Sequence, residues 1–419
     1  MADDPKLTIL GKLFILLFIG ACFVGAYGLW AYMRPAAGGS TVVTPPGGNG
    51  PGTNTGTTPS NPSDPQPTPA DPGRAGTPAV TISIAYGTEK RRWLTWAAEE
   101  FQKTPAGARV GVKLLPMGSI EGAQAILKGE TPITVWAPAS SLYEANLVTD
   151  WEMKHAGQSP IAKKEILALT PMVFVMWEER YIAFIEKYKG LNFRTIAQAL
   201  NETGGWNAIA AKPEWGFFKF GHTHPNQSNS GLMTLVLLAY DFHEKNAGLT
   251  LADITDPKFS QWANKLQRAV TGLSNSTGKM MEEMVQRGPS TYDVLLVYEA
   301  NAIDYVKNAE GRWGKLRVVY PERNAWNDNP YYILKSASKQ EAAGAQTFLD
   351  FLMSERVQAQ ALVHGFRPAN VAVPIKAPDS AFTTMESYGL RVDLSGVCEQ
   401  PAPEVINNLL IGWQRNRSN

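Results

Sequence analysis

The stretch GHTHPNQSNSGLMTL, residues 221–235, combines two histidines with a run of small polar residues and so holds the first candidates for chemistry. His222 and His224 are possible metal ligands, but a zinc site needs three or four ligands. No cysteine pair or second histidine cluster stands close in the sequence. We therefore predict no metal site, and we expect both histidines at the surface or lining a hinge, with direct ligand contact as the alternative.

The end of this stretch is typical of a turn from a strand into a helix. Ser228, Asn229 and Ser230 are residue types that cap helix N-termini, and Gly231 lets the backbone approach a neighbour closely. The free amides and partial positive charge of a helix start favour an anionic or carbonyl-bearing ligand. The stretch thus predicts a ligand cradle. Replacing Ser228 and Ser230 by alanine should weaken binding with little loss of stability, since a cap contributes about 1 kcal/mol.

Two segments of the sequence match a catalytic motif in part, but neither match is complete. GLSNSTGKM, residues 272–280, is similar to a phosphate-binding loop, but five residues separate its glycines and Met280 stands where serine or threonine is needed. HEKNA, residues 243–247, lacks the second histidine of a zincin. Neither G-x-S-x-G nor G-x-G-x-x-G occurs. We predict no enzymatic activity, no catalytic residue and no cofactor.

Three strand–helix units open the predicted folded body. Strands and helices alternate, and they are predicted at 79–87, 89–103, 110–118, 119–129, 132–138 and 140–148. Thr88, Ser119 and Ser140 stand just after the three strands. Ligands of open α/β sheets bind at the carboxyl ends of strands, over helix N-termini, so these three residues are predicted to face one crevice. Ordinary helix capping is the alternative for each of them.

A long apolar strand, 166–177, is long enough to cross between two lobes. A second α/β unit follows it, and later strands return to the first lobe. The predicted elements are helix 194–201, strand 215–221, helix 231–246, strand 293–300, helix 301–309, strands 316–322 and 329–336, and two helices within 339–366. We therefore predict lobe 1 from residues 79–172 and 320–419 and lobe 2 from residues 173–319.

The order of these motifs resembles the type II periplasmic or extracellular solute-binding proteins, in particular the bacterial extracellular solute-binding family with its molybdate- and sulfate-type receptors. HTHPNQSNSGLMTLVLLAYDF is similar to that family's lobe-two binding loop and helix, and DVLLVYEANAID to its strand followed by a tyrosine and an acidic residue. VVYPERNAWNDNPYYIL is similar to the strand that returns through the hinge, and FLDFLMSERVQAQALVHGFRPAN to the C-terminal helices. The resemblance covers roughly residues 79–390.

The resemblance implies an α/β, two-lobed periplasmic-binding-protein type II fold, with two mixed, mainly parallel sheets flanked by helices. It also implies ligand contacts at Thr88, at Ser119, at Ser228–Gly231 and at Tyr298. The chain departs from the family where the loop opens His-Thr-His-Pro instead of Asp-Pro, and where Glu299 follows the tyrosine. A carboxylate there would repel a small dianion. Glu299 is predicted to receive a cationic ligand group, to point to solvent or to pair with an arginine.

The N-terminal part predicts a membrane anchor and a tether. Residues 13–33 carry no charge, and 21 residues at about 1.5 Å each span a bilayer core of about 30 Å. Two lysines before them favour a cytoplasmic N-terminus, residues 1–12, and an extracytoplasmic body. A cleaved signal peptide, or lipidation at Cys22, is the alternative. Residues 34–78 are rich in proline, glycine and threonine and are predicted to be a disordered linker.

The charge balance limits the classes of partner. The chain has 39 basic and 38 acidic residues, a net charge of +1, which offers no electrostatic footprint for nucleic acid. The sequence therefore predicts a single-pass cell-membrane protein whose extracytoplasmic body captures a small polar or anionic solute between its lobes, for an ABC-type permease or a sensor subunit. The alternative is a membrane-anchored interaction or scaffold protein with a degenerate binding fold.

Overall fold

The computed structural model describes residues 78–418, which form an α/β structure with two sheets. The predicted cytoplasmic segment 1–12 and anchor 13–33 lie outside the described residues, as does the predicted linker 34–78 apart from Pro78. Within the described part of the chain, no helix has the length and apolarity needed to cross a bilayer.

The first sheet has five strands. They are β1 (Val80–Tyr86), β2 (Val110–Pro116), β3 (Val135–Ala137), β4 (Ile161–Ile166) and β10 (Pro330–Leu334). Their order is β2–β1–β3–β10–β4, with β1 parallel to β2 and β3, and with β10 antiparallel to β3 and β4. Five helices cover it, namely α1 (Arg91–Gln102), α2 (Ser119–Lys128), α3 (Glu144–Lys154), α12 (Lys339–Leu352) and α13 (Glu355–Val363). We call this sheet and its helices the first lobe.

The second sheet is organised around β5 (Ala168–Trp177). Its other strands are β6 (Phe220–Gly221), β7 (Val294–Tyr298), β8 (Leu316–Val319), β9 (Trp326–Asn327) and β11 (Arg367–Pro368). Strands β7, β8, β9 and β11 all pair antiparallel with β5, and β6 is parallel to β7. We call this sheet and the helices packed on it the second lobe.

The predicted two-sheet α/β fold is confirmed, but the expectation of mainly parallel sheets is wrong. Six of the nine strand pairs are antiparallel. The prediction rested on the alternation of strands and helices over residues 79–148, where β1 does pair parallel with β2 and β3. A continuous apolar run is the usual pattern for a parallel strand buried on both faces. β5 has that pattern, with nine of its ten residues buried, because it is the central strand of a mixed sheet and not because its neighbours run parallel to it.

Helices surround the second sheet on both faces. They are α4 (Glu178–Tyr188), α5 (Phe193–Leu200), α6 (Gly205–Ala210), α7 (Asn229–His243), α8 (Leu251–Thr255), α9 (Pro257–Arg268), α10 (Thr277–Arg287), α11 (Glu299–Ala309), α14 (Ala381–Thr384) and α15 (Pro403–Ser418). Twelve of the fifteen residues of α7 are buried, so this helix is the centre of the second lobe's core and not a surface helix.

The predicted lobe boundaries stay a prediction, and the C-terminal segment packs differently from them. Val405, Ile406, Leu409 and Trp413 of α15 join the core cluster around α7. These four side chains recur with helical spacing, so they form one apolar stripe that α7, α8 and α9 cover. The C-terminal helix, which was predicted in lobe 1, thus packs mainly on the second lobe and also contacts α3 of the first lobe.

Asparagine side chains bind β5 where the chain crosses between the lobes. Asn324 Oδ1 accepts from the Met172 amide at 3.0 Å, and its Nδ2 donates to the Met172 carbonyl at 2.7 Å. Asn327 Nδ2 donates to the Thr170 carbonyl at 3.1 Å, and Asn329 binds the start of β5 in the same way. These amides replace backbone partners that a crossing segment cannot supply, and they fix the crossing that positions the two lobes.

Candidate ligand-binding cleft

A cavity of about 420 Å³ opens between the two lobes. The first lobe contributes residues 88–92 and 116–121, which follow the carboxyl ends of β1 and β2. The second lobe contributes residues 275–282, at the start of α10, and residues 301–305, in the first turns of α11. We call this cavity the interlobe cleft. Its position at strand ends and helix starts is the one that open α/β sheets use for ligands.

Direct contacts join the lobes at the edge of the cleft. Thr88 Oγ1 lies 2.9 Å from Ser276 Oγ. Arg92 Nη1 donates to the Asp304 carbonyl at 3.4 Å, and its guanidinium lies 4.7 Å from the Tyr305 ring centroid. These contacts join the two lobes directly beside the cleft.

A glycine allows the tightest of these approaches. A Cβ atom on Gly118 would lie 2.1 Å from the carbonyl oxygen of Gln227, which precedes α7 in the second lobe. Gly118 has φ −62° and ψ 151°, a conformation that any residue adopts. The glycine is therefore required by the contact between the lobes and not by its own backbone.

The predicted cradle at the start of α7 is a closed hydrogen-bond cluster. Ser230 is fully buried, and its Oγ lies 2.6 Å from Thr223 Oγ1 and 2.7 Å from Thr277 Oγ1. Ser228 Oγ lies 3.2 Å from Ser230 Oγ and makes no capping bond. A Cβ on Gly231 would lie 2.3 Å from the Thr223 carbonyl oxygen, so only glycine fits there. None of these residues lines the interlobe cleft.

Asn229 and Tyr298, which are both predicted to contact a ligand, bind each other. Asn229 Nδ2 donates to Tyr298 Oη at 3.1 Å and to Asn327 Oδ1 at 2.8 Å. Burial raises the pKa of Tyr298 well above its usual value, and the negative charge of Glu89 adds to this shift. The phenol therefore stays protonated and can only take part as a neutral group. Like the serine cluster, this pair lines no part of the cleft.

The three residues predicted to follow the first strands and face one crevice occupy different environments. Thr88 lines the cleft. Ser119 is buried, and its Oγ accepts from the Ala139 amide at 3.0 Å. Ser140 is fully buried, and its Oγ accepts from the Leu142 amide at 3.0 Å as a helix cap. The hydroxyls of Ser119 and Ser140 thus hold loops together, and ligand contact by the eight predicted residues stays a prediction.

A buried ion pair that sequence reasoning missed lies at the base of the cleft. Lys90 is fully buried, and its Nζ donates to Glu89 Oε1, to the Pro138 carbonyl at 3.0 Å and to Asn329 Oδ1 at 3.0 Å. Burial lowers the pKa of Lys90, and the adjacent Glu89 carboxylate opposes that shift. With three acceptors the ammonium is fully satisfied, and it anchors the loop after β1 to the crossing segment.

The start of α10 was also missed. The segment set aside as a failed phosphate-binding loop contributes Asn275, Ser276, Gly278 and Lys279 to the cleft. Its signal in the sequence was the cluster of glycine, serine, threonine and asparagine before an apolar helical repeat. That pattern predicts a helix start, although it does not predict the surface that the helix start faces.

Glu299 pairs with an arginine and does not line the cleft. Its Oε2 accepts from Arg367 Nε at 2.8 Å, and its Oε1 accepts from Arg367 Nη2 at 2.8 Å and from the Tyr320 hydroxyl. Both charged side chains are buried. Burial raises the pKa of Glu299, while the charge and hydrogen bonds of Arg367 oppose the shift. Of the alternatives for Glu299, pairing with an arginine is confirmed.

The two histidines of the loop before α7 serve the core. His222 is fully buried, with Nδ1 2.7 Å from the Thr223 carbonyl oxygen and Nε2 3.0 Å from Gln267 Oε1, so the expectation of a surface or hinge position is wrong for it. The ring of His224 packs edge-on against Trp413 of α15. Among residues 78–418, no three His, Cys, Asp or Glu side chains are placed to hold a metal ion.

A family profile described as "Bacterial extracellular solute-binding protein" matches residues 82–367, which include nearly all of both sheets and all four segments of the cleft. The chain belongs to this family of bacterial extracellular solute-binding proteins. Its members bind solutes and are not enzymes, in agreement with the prediction from the sequence. No curated protein matches the sequence of this solute-binding protein.

Solved structures show the same fold at low sequence identity. The sulfate-binding protein SubI from Mycobacterium tuberculosis H37Rv is 16% identical, with a TM-score of 0.52 over 76% of this chain and 93% of its own. A substrate-binding protein of an ABC transporter from Agrobacterium tumefaciens is 15% identical, with a TM-score of 0.54 over 80% and 94%. A periplasmic thiamin-binding protein is 12% identical, with a TM-score of 0.55 over 81% and 96%.

The serine cluster revises the prediction made from the sequence for this solute-binding protein. Ser230→Ala removes the common partner of the Thr223 and Thr277 hydroxyls, so it should lower the free energy of unfolding by about 1–3 kcal/mol. Ser228→Ala is the matched control, because its single long contact should contribute less than about 1 kcal/mol. Urea unfolding followed by circular dichroism measures both. Equal effects of the two changes would contradict the cluster.

Proposed function

We propose that this protein captures a small polar solute in the interlobe cleft, on the extracytoplasmic side of a membrane to which residues 13–33 and 34–78 tether it. The observation that carries the proposal is the cavity of about 420 Å³, which is lined by polar groups from both lobes. Known ligand pockets have volumes of about 300–1,000 Å³. A solute that contacts both lobes stabilises the closed arrangement, because an open one would break half of those contacts.

The proposal includes delivery of the solute to an ABC-type permease or a sensor subunit. Membership of the family supports a binding role, and one structure with the same fold is described as the substrate-binding protein of an ABC transporter. A tether of about 40 residues keeps the closed protein near a membrane partner at a high effective concentration. Nothing in the charge of the chain favours a nucleic-acid partner.

A scaffold role is the second candidate, and the α7 cluster favours it. The resemblance implies ligand contacts for Ser230 and Asn229. Both residues instead form hydrogen bonds with neighbouring side chains. A binding fold that has lost its ligand would show the same hydrogen bonds between its own side chains. The interlobe cleft distinguishes the candidates, because a scaffold has no need of a polar cavity between its lobes.

Thermal unfolding of the full chain in a mild detergent tests the proposal. The panel comprises sulfate and molybdate, amino acids, sugars and polyamines. We expect one class to raise the melting temperature with a saturating dose response, since a ligand at about 100 times its Kd stabilises by about 2.7 kcal/mol. Silence across the whole panel, with a membrane protein retained in a pull-down, would overturn the receptor proposal in favour of a scaffold.

A further inference from the structure

The deepest polar groups of the interlobe cleft are hydrogen-bond acceptors. Glu89 and Asn301 are 6% and 2% exposed, and they reach the cleft from opposite lobes. The charged side chains nearer to solvent are of both signs, and Arg91, Lys279 and Glu282 among them are exposed. The base of the cleft and its rim therefore offer different chemistry to a solute.

One oxygen of the Glu89 carboxylate accepts a hydrogen bond, and the other does not. Oε1 accepts from Lys90 Nζ, whereas no hydrogen bond within the described residues reaches Oε2. The group packs directly on the end of β1, because a Cβ on Gly87 would lie 2.3 Å from Oε1 and 2.5 Å from Oε2. The loop thus holds a carboxylate at the strand end, with one oxygen paired to Lys90 and the other without a hydrogen bond, where the resemblance predicts that a ligand anion would bind.

Asn301 supplies the second observation from the other lobe. Its Oδ1 is buried without a hydrogen-bond partner among the described residues, although the side chain lines the cleft. A buried acceptor without a donor costs about 1–3 kcal/mol, so such groups in native proteins usually await a water or a ligand. Asp304, one turn further along α11, lines the same wall, but its carboxylate already lies 3.7 Å from Arg92 Nη1.

We infer that the solute carries an ammonium group, which enters between Glu89 and Asn301; the inference rests on the proposed function and names its substrate class. An ammonium offers three donors and one positive charge, which match an unused carboxylate oxygen and an unpaired amide oxygen. A free inorganic oxyanion would meet the Glu89 charge at close range and would be repelled. Any negative group of the solute is directed outward, toward Arg91, Lys279 and the first amides of α10.

Calorimetric titration of the full chain with glycine, L-lysine and putrescine, and separately with sulfate, molybdate and glucose, tests the inference. We expect at least one ammonium probe to bind, and Glu89→Gln to weaken it by about tenfold or more through loss of the charged acceptor. Glu99→Gln is the matched control, because this exposed carboxylate on α1 lies outside the cleft. It should change the affinity by less than about twofold.

Glu89→Gln leaves Lys90 without its charged partner, so folding is controlled by a second variant. Glu89→Gln/Lys90→Met removes both charges of the pair, and it should fold and still lose the ammonium probe. Binding of sulfate, molybdate or glucose instead of an ammonium probe overturns the inference and leaves the proposed function standing. Ammonium binding that is unchanged in both variants overturns the inference as well. Silence with all six probes overturns the inference together with the proposed function.

Discussion

Gly118→Ala is expected to lower the affinity for the solute by about 5- to 150-fold, which corresponds to about 1–3 kcal/mol of overpacking. The added Cβ would lie 2.1 Å from the Gln227 carbonyl oxygen and would hold the lobes apart. The backbone of Gly118 suits alanine, so the cost falls on the contact between the lobes and not on the fold of either lobe. Calorimetric titration with the solute measures the affinity.

The control for this change is another glycine to alanine substitution. Gly412 lies in α15, and a Cβ there would meet nothing within 4 Å. Gly412→Ala should leave the affinity unchanged and can only help the helix. If Gly118→Ala binds the solute as tightly as Gly412→Ala, closure of the lobes at Gly118 is not part of binding.

Arg367→Met should have the largest effect on stability, a loss of about 3–5 kcal/mol in the free energy of unfolding. It leaves Glu299 fully buried without the two hydrogen bonds of 2.8 Å that neutralise its charge. The guanidinium also lies 5.0 Å from the Trp326 ring centroid and 4.9 Å from that of Phe382, so its removal opens a void as well. Urea unfolding monitored by circular dichroism measures the loss.

Arg356→Met is the control for the buried pair. Arg356 forms an exposed ion pair with Glu100 at 3.2 Å, and such pairs contribute about 0–1 kcal/mol. The double variant Glu299→Gln/Arg367→Met should recover part of the loss, because it removes both charges of the pair. Equal losses for Arg356→Met and Arg367→Met would show that the buried pair does not hold the crossing region.

Elements with a clear period could be predicted from the sequence. The helix expected at 89–103 is observed as α1, after a short 3₁₀ turn, and Trp93, Ala97 and Phe101 are buried on one face. The strand expected at 215–221 shrinks to β6, because Pro213–Trp215 form a 3₁₀ turn that ends at Gly216 with φ +70°. The composition of the segment indicated a strand, but only two of its residues pair in the sheet.

Strand β4 was missed for a different reason. Its sequence, IAKKEI, carries three charged residues and lies at the edge of the first sheet, so no apolar pattern distinguishes it from a loop. It is a strand because β10, more than 160 residues further along the chain, pairs with it. Such non-local pairing leaves little trace in a short window of sequence.

The candidate site could be predicted at the level of segments but not of side chains. Thr88 was considered as a ligand contact and lines the cleft, whereas the neighbouring Glu89, which also lines it, was not considered. Its carboxylate is held in place by Lys90, whose ammonium binds both Glu89 and Asn329, a residue 239 positions distant in sequence. The direction of a side chain in a short 3₁₀ turn depends on such distant partners, and one sequence does not contain that information.

Hydrogen–deuterium exchange of the full chain, with and without a saturating solute, tests most directly whether the interlobe cleft binds it. The account predicts slower exchange in residues 88–92, 116–121, 275–282 and 301–305, because these four segments line the cleft and closure buries them. Exchange that slows in only one lobe, or only at the surface groove around Trp262, would contradict capture of the solute between the lobes.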